Sequence, residues 1–293
     1  MNKKIITFAR TALSILLFGW MSACTGASAP ELPPSVPEGT PITVLATIGA
    51  SAPHASSTRA LAASNSYDRT EFVTADKINV ICNRGSLQMA SAGYECNGTA
   101  WAVAAGNNAL GFLPNVSYRA EFPVGYDRIL ADQKSEANFL KSNYLLTPSV
   151  PVSGAEVNFT GANAFAHQNA KLTLKFLGTN TLPEFSQLTV QATGLLTGGS
   201  AVENVSMLRP VASAYTWCAV VYPCASGQSR SVTVSVTDKN GVTYRATITS
   251  ALQKGNSYTH TLTLKNDILV PSGQDIEDWN VESRYNGDFD EDI

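Results

Sequence analysis

Between Arg230 and Ser250 the chain reads RSVTVSVTDKNGVTYRATITS. Val232, Val234 and Val236 alternate with small polar residues, a turn-forming run from Asp238 to Gly241 interrupts them, and the alternation then resumes. Successive side chains of a strand point to opposite faces. Period-2 alternation on both sides of a tight Asn-Gly turn therefore specifies an antiparallel hairpin with one buried face. Two more stretches follow the same rule. In AKLTLKFL, 170–177, Leu172, Leu174 and Phe176 alternate with Lys171, Thr173 and Lys175; in YTHTLTLK, 258–265, Tyr258, His260, Leu262 and Leu264 share one side.

Strands that are apolar on one face need a second layer to cover that face, with Thr, Ser and Lys left outside. Shorter strand signals occur at ITVLATI (42–48), DKINVIC (76–82), GTAWAVA (98–104), SYRAEFPVG (117–125) and AEVNFT (155–160). One stretch, DRILADQKSEANFL (127–140), suits a helical turn or two, with Ile129, Leu130, Phe139 and Leu140 facing a sheet. Charged residues are only 15% of the chain, which fits a β-rich surface protein better than a helical one. The expectation is an all-β fold of two antiparallel β-sandwich domains, 42–160 and 161–293, meeting near Gly161.

Ahead of the first strand, Lys3, Lys4 and Arg10 accompany the apolar stretch TALSILLFGW, 11–20. That run is about half of the roughly 20 residues needed to cross a bilayer, so it reads as a processed export signal. It ends at MSAC, 21–24, which resembles the lipobox of bacterial lipoproteins. The resemblance implies a signal peptide at 1–23, cleavage before Cys24, and lipid on the Cys24 thiol and amine; two or more acyl chains anchor a protein stably. The next stretch, TGASAPELPPSVPEGTP, has five prolines and no periodicity, so 24–41 reads as a semi-rigid linker. Residues 1–23 hold three of the 20 Lys and Arg and none of the 23 Asp and Glu, leaving 17 against 23, a net charge of −6. That balance argues against a nucleic-acid partner.

Four cysteines remain beyond Cys24. Export through an oxidising compartment allows two local disulfides, Cys82 with Cys96 and Cys218 with Cys224; four buried thiols are the alternative. There is no Cys-x-x-Cys, and His54, His167 and His260 are far apart, so neither metal nor any other cofactor is expected. The chain has no Gly-x-Ser-x-Gly elbow. The glycine-rich stretch TGLLTGGS, 193–200, lacks the lysine of a phosphate loop, and acidic residues cluster mainly in the C-terminal tail. These features point away from an enzyme.

Several blocks taken in order, TRA (58–60), DKINVIC (76–82), GTAWAV (98–103), FAHQNAKLTL (165–174), GNSYTHTLTLKND (255–267) and IEDWN (276–280), resemble the fimbrillin family of lipoprotein pilins. The resemblance implies that both sandwiches are transthyretin-like. It also implies a fimbrial subunit that reaches the outer membrane through its lipid, joins other fimbrial subunits and supports adhesion to a host or bacterial surface ligand. By the same resemblance, an arginine-specific protease cuts the loop after the first strand, at Arg59 or, as second choice, Arg69. Loss of 42–48 then uncovers a groove once filled by Ile42, Val44 and Ile48, and a strand of another subunit refills it. The C-terminal end offers a period-2 donor in Trp279, Val281, Tyr285 and Phe289. The alternative there is that 276–281 is the last strand of its own domain, followed by a solvated acidic tail. A second functional reading is a non-polymerising, glycan-binding lipoprotein with Trp101, Trp217 and Tyr222 as an exposed platform for sugar rings; otherwise these aromatics are core.

Overall fold

The structure, a computed structural model, describes residues 38–49, 68–98, 100–178, 181–210 and 214–279. The first half of the described chain contributes β1 Thr43–Ala46, β2 Lys77–Arg84, β3 Leu87–Cys96, β4 Trp101–Val103, β5 Ser117–Phe122 and helix α1 Glu136–Ser142. It continues with β6 Leu145–Leu146, β7 Val150–Pro151, β8 Glu156–Phe159 and β9 Ala166–His167. The second half contributes β10 Ala170–Gly178, β11 Phe185–Thr193, β12 Val202–Ser206 and β13 Thr216–Val221. Its last strands are β14 Arg230–Asp238, β15 Thr243–Ser250, β16 Asn256–Lys265 and β17 Ile268–Asp278.

In the first half, an antiparallel sheet runs β4-β3-β2-β5-β6-β9 with β7 beside β5, and β1 and β8 form a separate pair. Ile78, Val80, Tyr94, Tyr118, Phe122 and Leu145 of the sheet meet Val44, Val157 and Phe159 of the pair in one core. In the second half, the sheets β13-β10-β16-β17 and β12-β11-β14-β15 enclose another core. The inward sides of β10, β14 and β16 are those expected from the alternation: Leu172, Leu174, Val232, Val234, Val236 and Leu262 are all fully buried. The passage between cores falls between Phe165 and Ala170, because β9 still pairs with β6 whereas Ala170 packs into the second core.

Two strand pairings are parallel, β1 with β8 and β10 with β16. Alternation cannot reveal this, since both pairing senses have the same side-chain period. The β14–β15 hairpin turns as its sequence requires: Asp238 Oδ1 accepts from the backbone N–H of Asn240 and of Val242, both at 2.9 Å, and Gly241 takes φ 84°.

The segment between β5 and β6 forms a third, smaller apolar cluster. Ile129 and Phe139 pack there with Leu208, with Cys218 and Val220 on the outward face of β13, and with Trp279. Ser135 caps α1 by accepting from Asn138 N at 3.2 Å, which fixes the short helix over that face. Beside it, Gln133 is fully buried and acts as a substitute strand for the open edge of β13. Its Nε2 donates to Val220 O at 2.8 Å and its Oε1 accepts from Val220 N at 2.8 Å, while its own backbone N donates to Ser206 O at 2.9 Å. A side-chain amide has the donor and acceptor of a peptide group, so it satisfies an edge that would otherwise bury unpaired polar atoms. Replacing Gln133 with alanine orphans Val220 N–H and C=O. The variant is expected to lose roughly 2 kcal/mol in urea unfolding, and an unchanged midpoint would refute this role.

Candidate functional site

The segment 38–49 is seated along the first core by its side chains and by backbone bonds, first to 110–112 and then to 155–165. Ile42, Val44 and Ile48 point inward at 6%, 1% and 2% exposure, while Leu45 points out at 40%. At its start, Gly39 N donates to Phe112 O at 2.8 Å, Phe112 N to Thr40 O at 2.7 Å, and Ile42 N to Leu110 O at 2.9 Å. Gly111 permits this approach, because a Cβ there would come within 3.0 Å of Gly39 Cα. The strand then changes partner. Thr43 N donates to Ala155 O at 2.8 Å, residues 43–46 run parallel to 156–159, and Gly49 N donates to Phe165 O at 2.8 Å. Within this two-stranded sheet β8 is its one ladder partner, so side-chain burial supplies much of what holds it.

The chain re-enters the described fold at Asp68, in a polar junction at the edge of the third cluster. Asp68 Oδ1 accepts from Trp279 Nε1 at 2.7 Å, and Asp68 Oδ2 pairs with the Lys171 ammonium. These two charged side chains are only 13% and 12% exposed. Burial pushes the Asp68 carboxyl up, but Lys171 and the Trp279 N–H outweigh burial and hold it below the usual carboxylate range. Burial likewise disfavours the Lys171 ammonium, and Asp68 outweighs that effect, raising its pKa. The His167 ring stacks on Trp279 at 4.0 Å with planes 4° apart, and its Nδ1 bonds Asn143 Oδ1 at 2.8 Å. Burial lowers the His167 pKa to about 4, so the ring is neutral at pH 7. Beyond Asp68 the chain stays fixed: Arg69 Nη2 pairs with Asp76 Oδ1 at 2.8 Å, and Phe72 packs edge-on against Trp101, Phe122 and Phe165.

Residues 111–279 match the model of the fimbrillin-like family. The chain belongs to that family. Among solved structures, a proposed cell adhesion protein of Bacteroides uniformis is similar at 16% identity and TM-score 0.57, over 82% of this chain and 99% of that one. Another, of Bacteroides ovatus, is similar at 19% identity and TM-score 0.56, over 83% of this chain and 99% of that one. At these identities the likeness is one of fold. No curated protein sequence matches significantly.

Within this fimbrillin-like chain, Cys24, Arg59, Val281, Tyr285 and Phe289 lie outside the described residues. Arg69, the second cleavage candidate, is buried at 7% exposure with its guanidinium on Asp76, so a protease pocket cannot take it while this fold persists. Trp279 is not an available donor residue. It is 2% exposed, its backbone N donates to Gly255 O at 2.8 Å, and β17 before it is the last strand of its own sheet. The local disulfides are not made either, and all four cysteines are free thiols. Register explains the first: Cys82 stands opposite Ala90, six residues from Cys96, which at about 3.3 Å per residue is far beyond bridging distance. In the second, Cys218 faces the third cluster whereas Cys224 packs against the second core. Burial raises the Cys82 pKa and takes Cys218 to about 12, so both are unreactive thiols.

The aromatic platform is absent in this family member. Trp217 is 3% exposed in the second core, Trp101 packs on Phe72 in the first at 5.0 Å, and Tyr222 lies separately over Gly198. Sequence reasoning missed Asp68, Lys171 and Gln133. The alternation put Lys171 on the solvent side, and it does lie on the outward face; the chain around Asp68 covers that face. Asp68 sits in a stretch without periodicity, and Gln133 lies in the stretch 127–140 read as a helical turn, where only the apolar residues carried a signal.

Proposed function

We propose that this chain is a subunit of a surface fimbria that supports adhesion and assembles by protease-triggered strand exchange at the β1 groove. Its lipid on Cys24 holds the precursor at the outer membrane, and its two cores act as two domains, with the change of core between Phe165 and Ala170 as the boundary. An arginine-specific protease cuts after Arg59, inside the connection 50–67. The donor that refills the groove comes from a neighbouring fimbrial subunit, with Val281, Tyr285 and Phe289 of its C-terminal segment as alternating anchors. The assembled fimbria then engages a host or bacterial surface ligand.

The observation that carries this reading is that 38–49 is held by the inward Ile42, Val44 and Ile48 and by backbone bonds, and that its covalent link to the rest of the described fold is 50–67. Three inward side chains contribute roughly 1.5 to 3 kcal/mol each. Ordering the segment opposes that gain, and the tether reduces the cost of bringing the strand to its groove. A tether keeps it at an effective concentration on the order of millimolar; cutting removes that advantage, and the freed peptide dilutes away. The vacated groove presents apolar pockets and the unpaired edge of β8, which is what an incoming strand needs.

The test is expression of Arg59→Ala and parent chains with the maturation protease, followed by unboiled gel electrophoresis. The parent is expected to give a ladder of polymers, and Arg59→Ala a folded monomer that keeps β1. An Arg59→Ala chain that matures and polymerises like the parent overturns Arg59 as the site.

A further inference from the structure

We propose that Asp68 is an anchor that keeps the body of the subunit closed once the connection to β1 is severed. This deepens the strand-exchange reading and rests on it. The geometry joins three distant parts of the chain at one carboxylate. Asp68 is the first described residue beyond 50–67, Lys171 is the second residue of β10, and Trp279 follows β17. Both Asp68 oxygens are engaged, one by the Lys171 ammonium and the other by Trp279 Nε1.

The need for an anchor follows from what holds the residues after Asp68. Residues 68–76 belong to no strand. Their next fixed points inward are the Arg69 guanidinium on Asp76 and the Phe72 ring among three other aromatics. In the intact chain, both ends of the connection are attached to the fold, so the stretch at residue 68 belongs to a closed loop with restricted freedom. In a severed chain it lies about eight residues from a new free end, and segments near free ends fray unless charge or packing ties them down. Fraying here would uncover Lys171 and Trp279, and with Trp279 the cluster of Ile129, Phe139, Leu208, Cys218 and Val220 that joins the two halves. Two charge-assisted hydrogen bonds at Asp68 stop the opening at its first residue, so strand loss is confined to the β1 groove.

The experiment uses the full chain with a site-specific protease sequence replacing residues 56–62, so it depends on neither native cleavage nor polymerisation. The parent is compared with Asp68→Ala/Lys171→Met, which removes the pair without leaving an orphaned charge and is therefore tolerated in the intact chain. The readout is hydrogen exchange at the Trp279 amide, which is bonded to Gly255 O, measured before and after cutting. Before cutting, the two chains are expected to agree within about threefold. After cutting, the parent keeps its protection and the double variant loses at least about 30-fold, as expected for two charge-assisted bonds. Equal protection after cutting overturns the anchor, as does a double variant that is already open or unfolded before cutting. A negative result with Arg59→Ala leaves this comparison unaffected, so the two readings fail separately.

Discussion

Replacing Val44 with aspartate is expected to remove β1 from its groove in the uncut chain and to have no effect once β1 has left. Val44 is 1% exposed in the middle of β1, flanked inward by Ile42 and Ile48. The substitution forfeits about 1.5 to 3 kcal/mol of burial and would desolvate a carboxylate at a further cost of several kcal/mol. The loss is capped by the free energy of unseating the strand, because release returns the aspartate to water. We expect a decrease of more than about 4 kcal/mol or complete release of the strand, read as early unfolding by the fluorescence of Trp101, which packs against the first core. Leu45→Asp, on the outward side of the same strand, is the control and should shift the midpoint little. After cutting and removal of β1, parent and Val44→Asp bodies are the same molecule and must unfold alike. A Val44→Asp precursor as stable as the parent would show that the inward side chains do not hold the strand.

The second large effect is acid sensitivity centred on His167. Its folded pKa is about 4, below the ordinary 6.5, because burial against Trp279 disfavours the imidazolium; Asp68 and Asp278 favour it, and Lys171 opposes it. A depressed histidine pKa means that the unfolded chain binds the extra proton first. Stability is therefore full above pH 6.5 and falls as pH drops from 6.5 toward 4. At 1.36 kcal/mol per pKa unit, the loss by pH 4 is on the order of 3 kcal/mol. Asp68 adds to the loss only below about pH 3.8, since its folded pKa is lowered from that value. His260 is shifted in the same direction by burial, so the measurement must be a difference. Urea midpoints of parent and His167→Gln chains are compared from pH 7.5 to 4. The parent is expected to lose about 3 kcal/mol more than the variant over that range, and parallel profiles would remove His167 as the cause.

Strand existence and facing were legible because they depend on near neighbours. Val232, Val234 and Val236 had to share a face once the backbone was extended, and Asp238 to Gly241 carried the turn chemistry for the hairpin that follows. The inward set Ile42, Val44 and Ile48 was readable for the same reason, as was burial of Ile129 and Phe139 near α1. Family membership was legible in the order of blocks along the chain, and the match over 111–279 supports it.

What failed depended on contacts between residues far apart in sequence. Cys82 and Cys96 are close along the chain, but the β2–β3 register places them far apart along one hairpin. Trp279 fits an amphipathic donor pattern on paper, yet Asp68, 211 positions away, takes its indole N–H. Alternation assigned Lys171 to the outside of its sheet and could not know that another part of the chain covers that outside. The sequence by itself determined which segments become strands and which side of each is apolar, since that follows from local periodicity and turn chemistry. Only the tertiary structure decided which strands pair in parallel, which outward faces are covered, and that one carboxylate joins Asp68, Lys171 and Trp279. Those outcomes depend on which distant segments meet, and side-chain alternation is the same whichever ones do.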